Sequence, residues 1–196
     1  YLHVPAQSGS NRILKKMNRG YTVEEYLEFI QRARSIIPDV EIAGDIIVGF
    51  CTETEEDFEA TKNLLQTVRF KNNFVFHYSP RPGTVAIDRF EDDVPRDVKR
   101  RRLNALLDLG GKISEEVHQA YEGTTVDVFV ERISPKSSRQ QGVELRWQNP
   151  SVQLSGRTAG DLICVFDVDS HEIANELIGT IVQVQITGSA ALLLHG

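Results

Sequence analysis

The sequence predicts an α/β fold followed by a small all-β domain: the C-terminal half of a (β/α) barrel, then a β-barrel. Three observations carry this. Strand-like and helix-like segments alternate over residues 1–93, the pattern of a parallel sheet. Residues 94–121 form one charged helical stretch. After Gly123 the apolar period shifts to two, with glycine, serine and asparagine loops between the segments, the pattern of a small closed barrel. The expected organisation is 1–93, 94–121 and 122–196.

Residues 1–6 read as a strand, followed by a helix from Asn11 that Ser10 caps and that carries Ile13, Leu14 and Met17 on one face. Thr22 and Glu25 form a capping box for a second helix. Its apolar positions Val23, Tyr26, Leu27, Ile30, Ala33 and Ile37 keep helical spacing until Pro38. Residues 40–50 give a strand whose Ile46-Ile47-Val48 run suits a parallel strand covered on both faces. Thr54 and Asp57 open a third helix, and Asn73 to Ser79 is the next strand, left by the stiff loop Pro80-Arg81-Pro82-Gly83. Three β–α units do not close a barrel, so the segment reads as the second half of one. In the following helix, Gly110-Gly111 predicts a break or bend. Strands are expected at Val126–Val130, Leu162–Phe166 and Ile181–Ile186, with Ser155-Gly156-Arg157-Thr158 preceding one of them.

The chain has 196 residues, 40% apolar and 26% charged, with a formal net charge of −6. That balance excludes coating nucleic acid by electrostatics alone. No apolar run approaches a membrane span, and no signal-peptide pattern opens the chain. The start at Tyr1, on a strand-like segment, reads as a piece of a longer cytoplasmic protein. Cys51 and Cys164 lie far apart with no metal-ligand spacing and read as small buried hydrophobes in a reducing compartment. His3, His118, His171 and His195 show no zinc spacing, and His77 reads as core or cleft lining.

The candidate site begins at the strand-to-helix junction Gln7-Ser8-Gly9-Ser10, because loops at the carboxyl ends of parallel strands converge on ligands. Gln7, Arg19 and Asp45 can face one cleft, where an arginine suits a carboxylate and an acidic group suits ribose hydroxyls. The alternative is a plain Arg19–Asp45 ion pair at a sheet edge. Gly49 would let the backbone approach a flat ligand, while Glu53 is equally explained as a residue at the next helix's N-terminus. Arg81 projects from a proline-stiffened support toward a substrate, or is a surface turn. In the β region, Lys136, Arg139, Arg146 and Arg157, with Trp147 beside them, suit RNA. Residues 122–196 nevertheless hold five Lys and Arg against nine Asp and Glu, a net of −4, so binding there is limited to a patch. Arg100–Arg102 read as a solvated helix face.

The segments Val-Pro-Ala-Gln-Ser-Gly-Ser…Met-Asn-Arg-Gly-Tyr-Thr, Asp-Ile-Ile-Val-Gly-Phe, Thr-Glu-Glu-Asp-Phe and Tyr-Ser-Pro-Arg-Pro-Gly-Thr stand in one order. Together they resemble the radical S-adenosylmethionine methylthiotransferase family over essentially the whole chain. Gly-Arg-Thr and Ile-Gly-Thr-Ile-Val-Gln-Val-Gln-Ile resemble the TRAM domain that ends those enzymes. The resemblance implies a 4Fe-4S cluster that reduces S-adenosylmethionine to a 5′-deoxyadenosyl radical, and a second cluster that helps supply a methylthio group. The acceptor it implies is C2 of N6-isopentenyladenosine beside the tRNA anticodon. It further implies that Arg19 holds the S-adenosylmethionine carboxylate, Asp45 the ribose, and Gln7 and Ser8 neighbouring polar groups, with the Ile47–Gly49 backbone along the adenine. The TRAM-like region would grip the tRNA anticodon arm.

Two departures stand out. Cys51-Thr52 replace the family's usual Pro-Gly after Gly-Phe, and the family's cluster cysteines lie upstream, outside this chain. The expectation is therefore no catalytic or metal-binding residue here, no redox chemistry from this chain alone, and activity only with the N-terminal part of the same polypeptide. The competing expectations are an RNA-binding module without catalysis, or a sister enzyme acting on threonylcarbamoyladenosine tRNA or a ribosomal protein.

Overall fold

The computed structural model describes residues 1–134 and 151–196. It divides into two compact units, Tyr1–Ser114 and Glu115–Gly196.

The first unit runs β1 (Leu2–His3), α1 (Asn11–Lys16), α2 (Val23–Ile36), β2 (Ile42–Val48), α3 (Glu55–Val68), β3 (Asn72–His77), α4 (Val85–Arg89) and α5 (Arg96–Gln119), the last continuing past the unit's end. The strands pair β1-β2-β3, all parallel. β1 is shorter than the sequence suggests because Pro5 has no amide to give the ladder. The chain still follows β2: Val4 donates to Ala43 O, Gln7 to Asp45 O, and Ile47 back to Gln7 O. The helix caps form as read. Ser10 accepts from the Ile13 amide, and both Thr22/Glu25 and Thr54/Asp57 close capping boxes.

Period-2 alternation in β2 separates two faces. Ile42, Ile46 and Val48 are fully buried, whereas Asp45 and Ile47 point to the other face and are half-buried. By register Asp45 lies beside Phe74 and Ile47 beside Phe76, and those rings are 49% and 54% exposed. The second face of β2 is thus only partly covered among the described residues, Ala43 being buried and Asp45 and Ile47 half-buried. His77 is exposed rather than core or cleft lining.

α5 contradicts the expected break, since it runs unbroken through Gly110-Gly111. Asn73 presses on this helix: a Cβ at Gly110 would collide with Asn73 Oδ1 and lie 3.1 Å from its Cγ. Glycine here admits a neighbour; it does not end the helix. α5 is also bound to its own unit. Arg102 donates to Glu53 Oε2 at 2.7 Å and Glu55 Oε2 at 3.0 Å, and Ser114 Oγ donates to Lys71 O at 2.5 Å. The division between units therefore falls inside α5, whereas the sequence suggests a separate 94–121 segment and a boundary near 122.

The second unit contains β4 (Thr125–Ile133), β5 (Val152–Thr158), β6 (Ile163–Val168), α6 (His171–Leu177), β7 (Ile181–Gln185), β8 (Gly188–Ala190) and β9 (Leu193–His195). The sheet order is β7-β4-β5-β6-β9-β8, antiparallel except for β6-β9. Its two outer strands, β7 and β8, are successive stretches of one chain segment, so the sheet curls enough for Ile186 and Thr187 alone to span from one to the other. Val128, Val130, Leu154, Cys164 and Leu194 fill its core. Ser155–Thr158 belongs to β5 rather than preceding a strand. The helix α6, capped by Ser170 and seating the fully buried Ala174, is too short to show a helical period amid strand-like sequence.

Candidate functional site

The junction between β1 and α1 is fixed from below by α3. Gly9 N donates to Thr61 Oγ1 at 3.0 Å, and Ser8 Oγ lies 3.4 Å from the same hydroxyl. Ser10 Oγ donates to Asp57 Oδ1 at 2.6 Å. A Cβ on Gly9 would lie 2.5 Å from Thr61 Cα and 2.6 Å from the Ala60 carbonyl carbon, so only glycine allows this approach. Ser8, 1% exposed, spends its hydroxyl on Thr61 and on the Ser10 amide. It faces α3 and braces the loop instead of facing a ligand.

Asp57 gathers this scaffold. It accepts from Ser10, from the amide and hydroxyl of Thr54, and from the Arg12 guanidinium. Burial opposes its ionisation, but the Arg12, Ser10 and Thr54 bonds outweigh it and hold its carboxyl well below the usual range.

Above this base, Gln7 adopts φ 65°, left-handed backbone that turns its side chain toward Arg19. Arg19 Nη2 donates to Gln7 Oε1 at 3.1 Å. α1 ends in a Schellman pattern that fixes where Arg19 departs: Arg19 N donates to Leu14 O at 2.9 Å and Asn18 N to Lys15 O at 3.1 Å, with Asn18 at φ 57°. The structure brings Gln7 and Arg19 together and excludes the sheet-edge ion pair with Asp45. Asp45 instead meets His3 Nε2 at 3.2 Å, and His3 stacks on Phe74 at 6.1 Å between ring centroids. Asp45 adjoins Gln7 through the backbone, where Gln7 N donates to Asp45 O.

Gly49 does a different job from the one expected. Its φ is 68°, and a Cβ there would collide with Lys99 Cγ and sit 3.2 Å from Lys99 Cδ. Its missing side chain makes room for Lys99. The Gly49 amide donates to Glu53 Oε2 at 2.7 Å, and the Ile47 amide is already given to Gln7 O. The amides of Ile47 and Gly49 are thus both engaged, and the Ile47 side chain lines the neighbouring cleft. Glu53 is the residue whose role the sequence left undecided. It is 5% exposed, ties the Gly49 turn to Arg102, and burial pushes its carboxyl up against the pull of both partners.

The Cys51-Thr52 departure also acquires a geometry. Glu53 N donates to Phe50 O at 2.9 Å, closing a turn in which Thr52 sits at φ 67°. This is the position where glycine is favoured and a β-branched residue is strained. Thr52 is held there by the Asp93 carboxylate on its amide and by Arg12 on its carbonyl and hydroxyl.

A cleft of about 730 Å3 opens beside Arg19 and Ile47, walled by Phe50, Tyr78 and Phe90. Arg81 lies exposed just before α4; its carbonyl accepts from Thr84. In the second unit Arg157 pairs with Asp161 at 2.6 Å and Glu131 at 3.2 Å, and its side chain stays partly exposed. Lys136, Arg139 and Arg146 lie outside the described residues. Among the described residues no group of three or more His, Cys, Asp and Glu is placed to hold a metal ion. Both cysteines are buried, and burial pushes the Cys51 thiol up and the Cys164 thiol up to about 11. No helix among the described residues is long and apolar enough to cross a membrane.

Residues 1–65 match the Radical SAM superfamily. Over all 196 residues the chain is 43% identical to a tRNA-2-methylthio-N(6)-dimethylallyladenosine synthase of Rhodopirellula baltica, covering 39% of that protein. It is 41% identical to the protein of that name from Chlorobium chlorochromatii, covering 40% of it. Over its whole length the chain is thus similar to proteins of this name, and over residues 1–65 to the Radical SAM superfamily. A third relative of the same name, from Protochlamydia amoebophila, is 44% identical over 197 residues, and the chain covers 39% of that protein's length. The chain thus spans about two fifths of the length of the curated relatives it matches. Gln7, Arg19 and Asp45 lie within the matched residues 1–65, and the likeness to the relatives continues past them through the second unit.

Proposed function

We propose that this chain is the C-terminal part of a tRNA methylthiotransferase that adds a methylthio group to C2 of N6-isopentenyladenosine beside the anticodon. The observation that carries the reading is likeness to synthases of that name across all 196 residues, together with a polar junction beside the cleft that Arg19 and Ile47 line. Gln7 and Arg19 form a joined pair there, and Asp45 and Ile47 look out from one face of the neighbouring strand. These residues fit S-adenosylmethionine. Arg19 would take its carboxylate, Asp45 its ribose, and Ile47 would flank the adenine, with Gln7 orienting Arg19.

When bound, S-adenosylmethionine supplies radical hydrogen abstraction, driven by 4Fe-4S clusters whose ligands we assign to the N-terminal part of the polypeptide. The half-exposed Phe74 and Phe76 support this division of labour, because a sheet face of that character is normally covered. Glu53, Lys99 and Arg102 hold the Gly49 turn that carries Ile47 into place. The second unit, with the outer strands of its sheet joined through Ile186 and Thr187, is read as a TRAM-like RNA-binding barrel over 122–196 in a cytoplasmic enzyme.

The test is the full-length protein, reconstituted with iron and sulfide and given tRNA and S-adenosylmethionine. Mass spectrometry of the tRNA nucleosides should reveal the 2-methylthio product, and Arg19→Ala should raise the KM for S-adenosylmethionine at least tenfold. No methylthio nucleoside from a cluster-loaded enzyme refutes the assignment. Modification of threonylcarbamoyladenosine instead would redirect it to the sister reaction.

A further inference from the structure

The cleft holds more positive charge than S-adenosylmethionine can use. Its wall carries Arg12, Lys15, Lys16, Arg19 and Arg89, and no acidic residue. Arg12 is committed to Asp57, and Arg19 suffices for the single carboxylate of S-adenosylmethionine, whose sulfonium and ammonium are themselves cationic. Lys15, Lys16 and Arg89 remain, and among the described residues none of them forms an ion pair. Three cations converging on one cleft, in a chain of net charge −6, repel one another unless an anion joins them.

The aromatic wall stands directly beside this charge. Lys16 Nζ lies 5.1 Å from the centroid of Phe90. Phe50 backs both Tyr78 and Phe90 edge-on, at 4.8 Å and 6.0 Å, so the two half-buried rings are held rigidly at the cleft. Unpartnered cations next to fixed rings are the combination that binds single-stranded nucleic acid, the cations taking phosphate and the rings a base face.

We propose that Lys15, Lys16 and Arg89 hold a phosphodiester of a single-stranded RNA segment, with an adjacent base against Tyr78 and Phe90. This rests on the tRNA reading above and adds an RNA contact at the α1–α4 cleft to the one read for the second unit. The inference adds a subsite for the nucleotides flanking the reacting one.

The experiment uses the full-length protein and an anticodon stem-loop RNA, with the dissociation constant measured against salt concentration. Each cation removed from a single-strand phosphate contact should flatten the slope of log Kd on log salt by about 0.7. Lys15→Ala/Lys16→Ala together should weaken binding on the order of tenfold at about 0.15 M salt, and Arg89→Ala should weaken it severalfold. S-adenosylmethionine affinity reports that the unit remains folded. A double variant of equal charge change elsewhere, Arg32→Ala/Arg100→Ala, should keep the wild-type slope. Wild-type slope and affinity in the cleft variants overturn the subsite, as does an equal loss in the Arg32/Arg100 variant. A wild-type enzyme that neither binds the stem-loop nor modifies tRNA overturns the functional reading itself, and the subsite with it.

Discussion

Replacing Gly9 by alanine tests the claim that α3 positions the ligand-facing loop. The added Cβ would lie 2.5 Å from Thr61 Cα and 2.6 Å from the Ala60 carbonyl carbon. Both are backbone atoms, so no side-chain rotation relieves the overlap. Restoring ordinary contact at 3.4 Å requires the loop and α3 to separate by about 1 Å, an overpacking cost of about 1–3 kcal/mol. That separation also stretches the Gly9–Thr61 and Ser10–Asp57 bonds, worth about 1 kcal/mol and about 2 kcal/mol for the neutral and charged acceptor. The shift trades overlap against those bonds and does not incur both costs in full, so the net is about 3 kcal/mol, roughly a hundredfold in an opening equilibrium. Native-state hydrogen exchange on the full-length protein reads this locally. The Met17 and Arg19 amides, bonded to Ile13 O and Leu14 O, should lose about a hundredfold in protection, while those of the second unit should not change. S-adenosylmethionine affinity should fall with them, because Gln7 and Arg19 ride on the displaced loop. Protection within a factor of three of wild type would refute the argument that this contact holds the junction.

Acid should loosen the same scaffold. The Asp57 carboxyl is held below its ordinary 3.8, so its contribution is complete above about pH 4 and is lost as pH falls through the lowered folded value. The stability difference between wild type and Asp57→Asn, read from urea unfolding midpoints, should be about 2 kcal/mol at pH 6 and shrink toward pH 3; a constant difference would contradict the assignment. Thr52→Gly should stabilise the protein by about 1 kcal/mol, because it removes left-handed strain from a β-branched residue at the loss of one exposed hydroxyl bond to Arg12. A lowered unfolding temperature in that variant would show that the Arg12 bond outweighs the strain.

The parts of the fold readable from sequence were those written in local chemistry. The capping boxes at Thr22/Glu25 and Thr54/Asp57 state their helices in four residues each, and Ile46-Ile47-Val48 states a parallel strand. What a residue meets across the fold is not local. Gly110 looks like a helix breaker until Asn73 is placed against it, and Gly49 looks like a ligand contact until Lys99 occupies the space. Ser8 and Gln7 are neighbours in sequence, yet the left-handed backbone at Gln7 sends one toward α3 and the other toward Arg19. Glu53 was ambiguous because a carboxylate at a helix N-terminus needs no further reason; its burial on the Gly49 amide gives it one. The strands β8 and β9, three residues each, are too short to carry a period.

The partly covered face of the first sheet has a practical consequence for handling this polypeptide. β3 is the outer strand of its sheet, paired on one side with β2, and the half-exposed rings of Phe74 and Phe76 project from its face. Such a strand templates pairing with another copy. Residues 1–196 produced alone should associate through this strand as concentration rises, and Phe76→Lys should delay that association more than Ile37→Lys at the comparably exposed C-cap of α2.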